Sequence, residues 1–549
     1  MKSPLTGSVL TTLICLAISP AMAKPKNVLL ICIDDLKPSL GCYDDPVAHT
    51  PAIDALARRG LLFEAAYCNQ AVCSPSRNAL MTGLRPQTIG IYDLPTNFRK
   101  GAPGAVTVAE HFKANGYRTE ALGKIMHRGH GNVEDSASWT VPHFVAKAPL
   151  YLNPESTANG RKDSRGGTRG AATEIGDTND DEAYFDGLIA KEAIARLENA
   201  AANPDEPFFI AVGFIRPHLP FVAPKKYWDL YDADKIPMPE FLKAPEGAPD
   251  YAVHSGGELR QYSDMPLKGK IDEAKTRHLI HGYYAATSYA DAQIGRVLEA
   301  LDANQLSENT IVVLWGDHGW HLGDHSIWCK HTNFEQAARI PLIIADPDGA
   351  GNARTSALIE TVDLYPTLAE LAGIPEKAGL DGISQAAVVK DPGVTLRDHV
   401  IHVYPRGGKL GRAIRTERFR MVEWKRPGAS SDAAEFELYD YQIDPLETRS
   451  LASDDPDTLA KLQAILATHP EAKPQYREYS AEEIAAREAA IAKRVDAFKK
   501  RDENSDGKLS LEEFLSRQPD PDEAPKRFPV FDSNSDGFLT ENEYVNAGK

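Results

Sequence analysis

Residues 27–33, Asn-Val-Leu-Leu-Ile-Cys-Ile, form an unbroken apolar run rich in branched side chains that stops at Asp34-Asp35. A strand apolar on both faces must be covered on both faces, which is the situation of a central strand in a parallel sheet. Similar short runs occupy residues 208–213, 310–315 and 341–345. Between them lie helical patterns over residues 52–59, 106–115, 187–200, 283–303 and 362–372. Alternating strands and helices predict an α/β sandwich around a mostly parallel central sheet. Ligands of such sheets bind beyond the carboxyl ends of the strands. Asp34-Asp35 and Asp317-His318 both stand at such ends, so the search for chemistry starts there.

A chain of 549 residues exceeds one compact core,. The first 23 residues have the pattern of an export signal: Lys2, an apolar stretch over residues 9–18, and Ala21-Met22-Ala23 at a cleavage position,. The apolar stretch is too short to span a bilayer, and no later segment is long enough, so no transmembrane anchor is expected. Ile14 is too bulky for the residue before a lipidated Cys15. The expected location is therefore the periplasm or the extracellular medium. Residues 24–395 are expected to form the main α/β domain. Residues 396–478, with short strands and one helix, form a smaller α+β subdomain, and residues 479–549 form a helical module. The formal net charge of -17 argues against a nucleic-acid partner,. It also means that any anionic substrate must be met by a local group of cations or a metal. Five of the six cysteines remain after signal removal, an odd number for an exported chain; their pairing is open,.

Two segments near the C-terminus match a calcium loop at every position. They are Asp502, Asn504, Asp506, Gly507, Lys508, Ser510 and Glu513, and Asp532, Asn534, Asp536, Gly537, Phe538, Thr540 and Glu543. Oxygen ligands at alternate positions, a Gly at the sharp turn and a closing bidentate Glu are what Ca²⁺ coordination demands, with the seventh position contributing its carbonyl. An EF-hand pair is expected, built on Phe498, Phe514, Phe531 and Tyr544 at the flanking helical positions. A dockerin-like module also uses paired calcium loops; Glu513 and Glu543 favour true EF-hands.

The segment Cys73-Ser74-Pro75-Ser76-Arg77, followed by Leu80-Met81-Thr82-Gly83, resembles the signature of formylglycine-dependent sulfatases. The stretches NVLLICIDDLKPSLGCYDD, AVCSPSRNALMTGLRP, AVGFIRPHLPF and LWGDHGWHLGDHSIWCKHTNF extend the resemblance over residues 26–470, nearest to the iduronate-2-sulfatase-like branch. The resemblance implies an alkaline-phosphatase-like fold and oxidation of Cys73 to formylglycine by a maturation enzyme. A hydrated aldehyde has two hydroxyls on one carbon: one attacks sulfur, and the other later expels sulfate and regenerates the aldehyde. One difficult displacement becomes two easier steps.

The resemblance further implies a metal held by Asp34, Asp35, Asp317 and His318 with residue 73. Carboxylate-dominated ligation favours Ca²⁺ over Mg²⁺. Arg77 would lie beside the nucleophile, one helical turn on. Lys124 would hold the sulfate and His127 would take the hydroxyl proton. His218 and Lys330 would bind sulfate and protonate the leaving oxygen. His321, His325 and His331 are assigned to loop or substrate-facing roles rather than a zinc site. Arg99, Lys100, Arg128 and Arg216 are candidates to meet further substrate anions. The expected substrate is a sulfated sugar or polysaccharide. Two other readings share these residues: a phosphate or phosphonate ester hydrolase of the same superfamily, and a non-catalytic calcium-binding or adhesion protein.

Overall fold

The computed structural model describes residues 25–162, 167–478, 480–516, 518, 524–532 and 536–546. The expected signal segment, Cys15 and the loop residue Asn534 lie outside the described residues.

The main sheet contains β1 (Asn27–Ile33), β2 (Leu61–Tyr67), β3 (Arg118–Gly123), β4 (Phe208–Phe214), β5 (Thr310–Gly316), β6 (Arg339–Ala345) and β7 (Ala353–Thr355). Their spatial order is β7-β2-β6-β5-β1-β4-β3. β1 runs parallel to both β4 and β5, and β3 runs parallel to β4. The expected strand at residues 341–345 is present as β6 but lies antiparallel to β5 and β2, so the sheet is mixed. An apolar run has no directional signature, which is why the sequence pattern left this orientation open.

Alternate residues of β1 feed two cores, as a doubly covered strand requires. Val28, Leu30 and Cys32 pack with Leu80, Met81, Phe112 and Leu368. Leu29, Ile31 and Ile33 pack on the opposite face with Leu56, Ile189, Leu197, Ile294 and Leu298. The first group draws on α2 (Cys73–Thr82), α3 (Val108–Ala114) and α6 (Leu364–Leu371). The second draws on α1 (Pro51–Arg59), α4 (Phe185–Ala202) and α5 (Glu273–Ala303). Truncating a fully buried residue such as Leu29 to Ala would cost about 2–5 kcal/mol.

Register then aligns the strand ends. Ile33 pairs with Gly316 on one side and Phe214 on the other. The Asp317 amide donates to Ile33 O at 3.1 Å and the Asp34 amide to Phe214 O at 3.2 Å, which places two acidic pairs side by side.

Beyond the main sheet, β8 (His399–Arg406), β9 (Lys409–Thr416), β10 (Phe419–Lys425) and β11 (Glu435–Asp440) form an antiparallel meander beside α7 (Pro456–Leu466). α8 (Ala481–Arg501) leads into the last module, where β12 (Lys508–Ser510) pairs antiparallel with β13 (Phe538–Thr540) between short helices. Phe498, Leu509, Phe514, Phe528, Leu539 and Tyr544 form its own small core. The five described cysteines form no disulfide with one another. No helix among the described residues is long and apolar enough to cross a membrane.

Candidate active site

Cys73 is the first residue of α2, after an extended Val72, and is buried. Unpaired amides at a helix start and the positive end of its dipole favour an anion there. The helix stops at Gly83, which has φ +65° and donates its amide to Ala79 O. A Cβ at that position would meet Leu380 Cδ2 at 2.9 Å, so Thr82-Gly83 ends the helix where the Leu380 loop packs,.

Asp34, Asp35, Cys73 and His318 form a buried group whose candidate ligand atoms all lie within 4.8 Å of one another. His318 Nε2 is 3.4 Å from Cys73 Sγ and 3.3 Å from Asp35 Oδ1. Asp35 has φ +62°, a conformation Asp tolerates better than most residues,. Its amide donates to Asp317 Oδ1 at 3.0 Å. Asp317 borders the group, its Oδ1 lying 3.5 Å from His318 Nε2, while its Oδ2 receives Arg77 Nε at 3.0 Å. The two carboxylates of Asp34 and Asp35 fit a hard divalent cation such as Ca²⁺. The imidazole nitrogen and thiol are softer donors, and an oxygen at position 73 would fit better than sulfur.

Five cationic or protonatable side chains surround the carboxylates. Arg77 is fully buried and spans Asp317 and Asp34, its Nη2 reaching Asp34 Oδ1 at 3.2 Å and its Nη1 the carbonyls of Lys124 and Ile125. Lys124 pairs with Asp34 Oδ2. Lys330 Nζ lies 2.9 Å from Asp35 Oδ1. His218 Nε2 is 3.9 Å from Asp35 Oδ2 and 4.0 Å from Asp34 Oδ2. His218 Nδ1 donates to Leu219 O at 2.6 Å, since a carbonyl only accepts, so Nε2 is the atom that faces the carboxylates,. His127 Nε2 lies 2.9 Å from His130 Nδ1.

Burial opposes the charge on Asp34, yet Lys124, His218 and Arg77 together hold its carboxyl well below the usual range. Burial, reinforced by the Asp34 charge, pushes Asp35 well above it despite Lys330. Two buried carboxylates side by side cannot both carry full charge without a proton or a cation between them. Burial, then Lys124, lowers His127 to about 3, so its imidazole is neutral. Burial and the Asp34 charge raise the Cys73 thiol to about 12, so an unmodified Cys73 is a poor nucleophile,.

Several expected residues lie elsewhere. Arg99 is taken up by Asp135 and Glu110, and Lys100 by Glu478 at 2.6 Å. Arg216 turns inward to the carbonyls of His218 and Pro220. These three are corrected from substrate contacts to structural pairs: Arg99 and Arg216 find acceptors within the fold, and Lys100 pairs with Glu478 at the surface. His321 is buried between Asp324 and Thr332 Oγ1, and His325 is buried with its Nε2 3.2 Å from Glu447 O. His331 is half-buried, its carbonyl receiving Arg406 Nη2 at 2.5 Å. The sequence reading missed Glu258, which lies 3.4 Å from both His218 Nε2 and Lys330 Nζ. It stands in no motif, and nothing in its neighbourhood marks it.

Residues 26–374 match the Sulfatase family, and residues 323–472 match the C-terminal region of N-sulphoglucosamine sulphohydrolase. This chain belongs to the sulfatase family. It is accordingly a sulfuric ester hydrolase. As a sulfatase it is 35% identical over 383 residues to iduronate 2-sulfatase of Mus musculus, which covers 64% of this chain and 69% of that protein. The Homo sapiens protein of the same name is 36% identical over 382 residues, with 63% and 69% covered. A sulfatase of Formosa agariphila is 30% identical over 451 residues, covering 77% of this chain and 82% of its own length. Among solved structures, BT4656 in complex with its substrate D-glucosamine-2-N,6-O-disulfate superposes with a TM-score of 0.65. It is 22% identical and covers 81% of this chain and 97% of its own, a likeness of fold.

Proposed function

We propose that this sulfatase hydrolyses sulfate esters on a sulfated carbohydrate, with residue 73 in its formylglycine form as nucleophile. The observation that carries this reading is the buried group Asp34, Asp35, Cys73 and His318 enclosed by Arg77, Lys124, His218 and Lys330. Formylglycine would supply a hydrated aldehyde there, and a bound Ca²⁺ would neutralise sulfate oxygens.

Asp34, Asp35, Asp317 and His318 would hold the cation. Lys124 and Lys330 are placed to receive the remaining sulfate charge, where buried cations act at low dielectric. Neutral His127 accepts a proton from position 73. Lys330 stands as the donor for the leaving sugar oxygen; His218, lowered to about 3 by burial and with Nδ1 donating to Leu219 O, can join it through Nε2 only as the imidazolium,. Arg77 fixes the carboxylates rather than touching substrate, since all its contacts are internal. The identity with iduronate 2-sulfatases favours a uronate-containing sugar.

The last module is assigned as a calcium-binding EF-hand pair. Asp502 Oδ1 and Oδ2 already receive the amides of Asp506 and Gly507 at 3.1 and 3.0 Å, and Asp532 does the same for Asp536 and Gly537. Gly507 and Gly537 both have φ +82°, which a sixth-position Gly of such a loop requires,. The divisions 24–395, 396–478 and 479–549 are proposed as the domains, with export by residues 1–23.

The test is mass spectrometry of the peptide containing residue 73 after co-expression with a maturation enzyme, followed by sulfate release from a glycan panel. Oxidised Cys73, with release from a sulfated sugar and none from aryl phosphate, is expected. A Cys73→Ala protein with full sulfate release would refute the reading.

A further inference from the structure

The turn that follows β3 carries an imidazole pair. His127 is only 7% exposed. Its Nε2 lies 2.9 Å from Nδ1 of the exposed His130, with the ring centroids 5.1 Å apart and the planes inclined by 26°. The other nitrogen of His127, Nδ1, is shut off from solvent and has no hydrogen-bond partner among the described residues.

Resting on the reading of His127 as proton acceptor, we propose that His130 is its positioning residue: His130 Nδ1 accepts the Nε2–H of His127 and so keeps His127 Nδ1 as a bare lone pair. When both imidazoles are neutral, the one hydrogen bond between them leaves two choices. If His130 donated, the remaining proton of His127 would sit on Nδ1 as a buried donor with no acceptor; if His130 accepts, Nδ1 is a buried lone pair, so the charges around it decide between the two,. Lys124, opposed by Asp34 but joined by Arg77 and Lys330, sets a net positive field at His127 that favours a lone pair over an N–H on the buried side. His130 suffers no matching penalty, because water can serve its exposed Nε2 in either tautomer. The arrangement therefore selects one tautomer, as a carboxylate does for the base of a hydrolase triad.

The turn is also tied to the nucleophile. Gly129 and Asn132 exchange backbone hydrogen bonds at 3.1 and 2.8 Å, and Asn132 Nδ2 reaches Ser74 Oγ, next to Cys73, at 3.3 Å. His130 has φ +55°, the left-handed region that His enters more readily than most residues, and this turn brings its side chain to His127,.

The full chain with unmodified Cys73 allows a test independent of turnover. Nitrogen-15 NMR of the imidazoles should show His127 protonated at Nε2 and unprotonated at Nδ1 in the wild type, and a mixture of tautomers in His130→Ala. In the matured enzyme, His130→Ala should lower kcat by about 10–100-fold with KM little changed, and His130→Asp, which restores an acceptor, should recover most of it. A wild-type His127 carrying its proton on Nδ1 would overturn the proposal. So would an inactive His127→Ala alongside a fully active His130→Ala, whereas a fully active His127→Ala would overturn the parent assignment of His127.

Discussion

Arg77 Nε lies 3.0 Å from Asp317 Oδ2, and neither side chain is reached by solvent. The same guanidinium also reaches Asp34, so one cation on α2 holds the ends of β1 and β5 together. Its planar fork serves carboxylates and carbonyls at once, which an ammonium cannot do. Arg77→Met, measured with calcium present, should lose about 3–5 kcal/mol of stability, because two buried carboxylates lose their shared partner. A thermal melt left unmoved by this change would show that the metal alone holds the strand ends.

Glu258 supports the opposite side of the site. Lys330 lies 2.9 Å from Asp35, but a dication bound to Asp35 would repel it, and Glu258 is the second carboxylate within its reach. The same residue faces His218 Nε2. Glu258→Gln should therefore slow hydrolysis of sugar sulfates by about 10–100-fold, while an activated aryl sulfate, whose leaving group needs little protonation, should lose only about threefold. Equal losses on both substrates would mean that Glu258 serves binding rather than leaving-group departure.

The parts legible in the sequence share a physical cause. β1 and β5 were visible because strands covered on both faces must be apolar throughout, and the acidic pairs follow them directly. Cys73 and Arg77 were visible because both fall in one short segment that resembles the sulfatase signature. β2 was missed because Glu64 interrupts its apolar run, and β8 because Pro405 and two His residues break its pattern. Glu258 and His130 were invisible for another reason: each acts through a partner whose proximity depends on the turns between them, and no local pattern records that distance. The inward-turned Arg216 shows the converse, a cation whose partners are carbonyls that any sequence contains.

The terminal module should bind calcium independently of catalysis. Ser510 N and Thr540 N each donate to the twelfth-position Glu of their loop at 2.9 Å, which shows both carboxylates turned back toward their loops. Glu513→Gln with Glu543→Gln should weaken calcium binding to the module at least about tenfold, since each removes a bidentate charged ligand. Titration calorimetry of the full chain should then lose two of its binding events while sulfate release at saturating calcium stays near wild type. Loss of turnover in parallel would tie the module to the active site.

Acid stability should depend on Glu360. This buried carboxylate accepts Arg85 Nε and Nη2 at 2.7 and 3.0 Å, Asn69 Nδ2 at 2.8 Å and the Ile401 amide of β8 at 3.0 Å, so it joins the α/β core to the meander. Burial opposes its charge, but Arg85 and Arg397 prevail and lower it from 4.5 to about 2. A carboxyl depressed in the folded state stabilises above its ordinary value and loses that contribution as pH falls through the depressed one. The contribution, on the order of 3 kcal/mol, should thus be full above about pH 4.5 and fade toward pH 2. Urea unfolding at pH 7, 4 and 3 should show Glu360→Gln well below wild type at pH 7, with the gap narrowing steadily in acid. A gap that stays constant across that range would assign the loss to misplaced hydrogen bonds rather than to the charge.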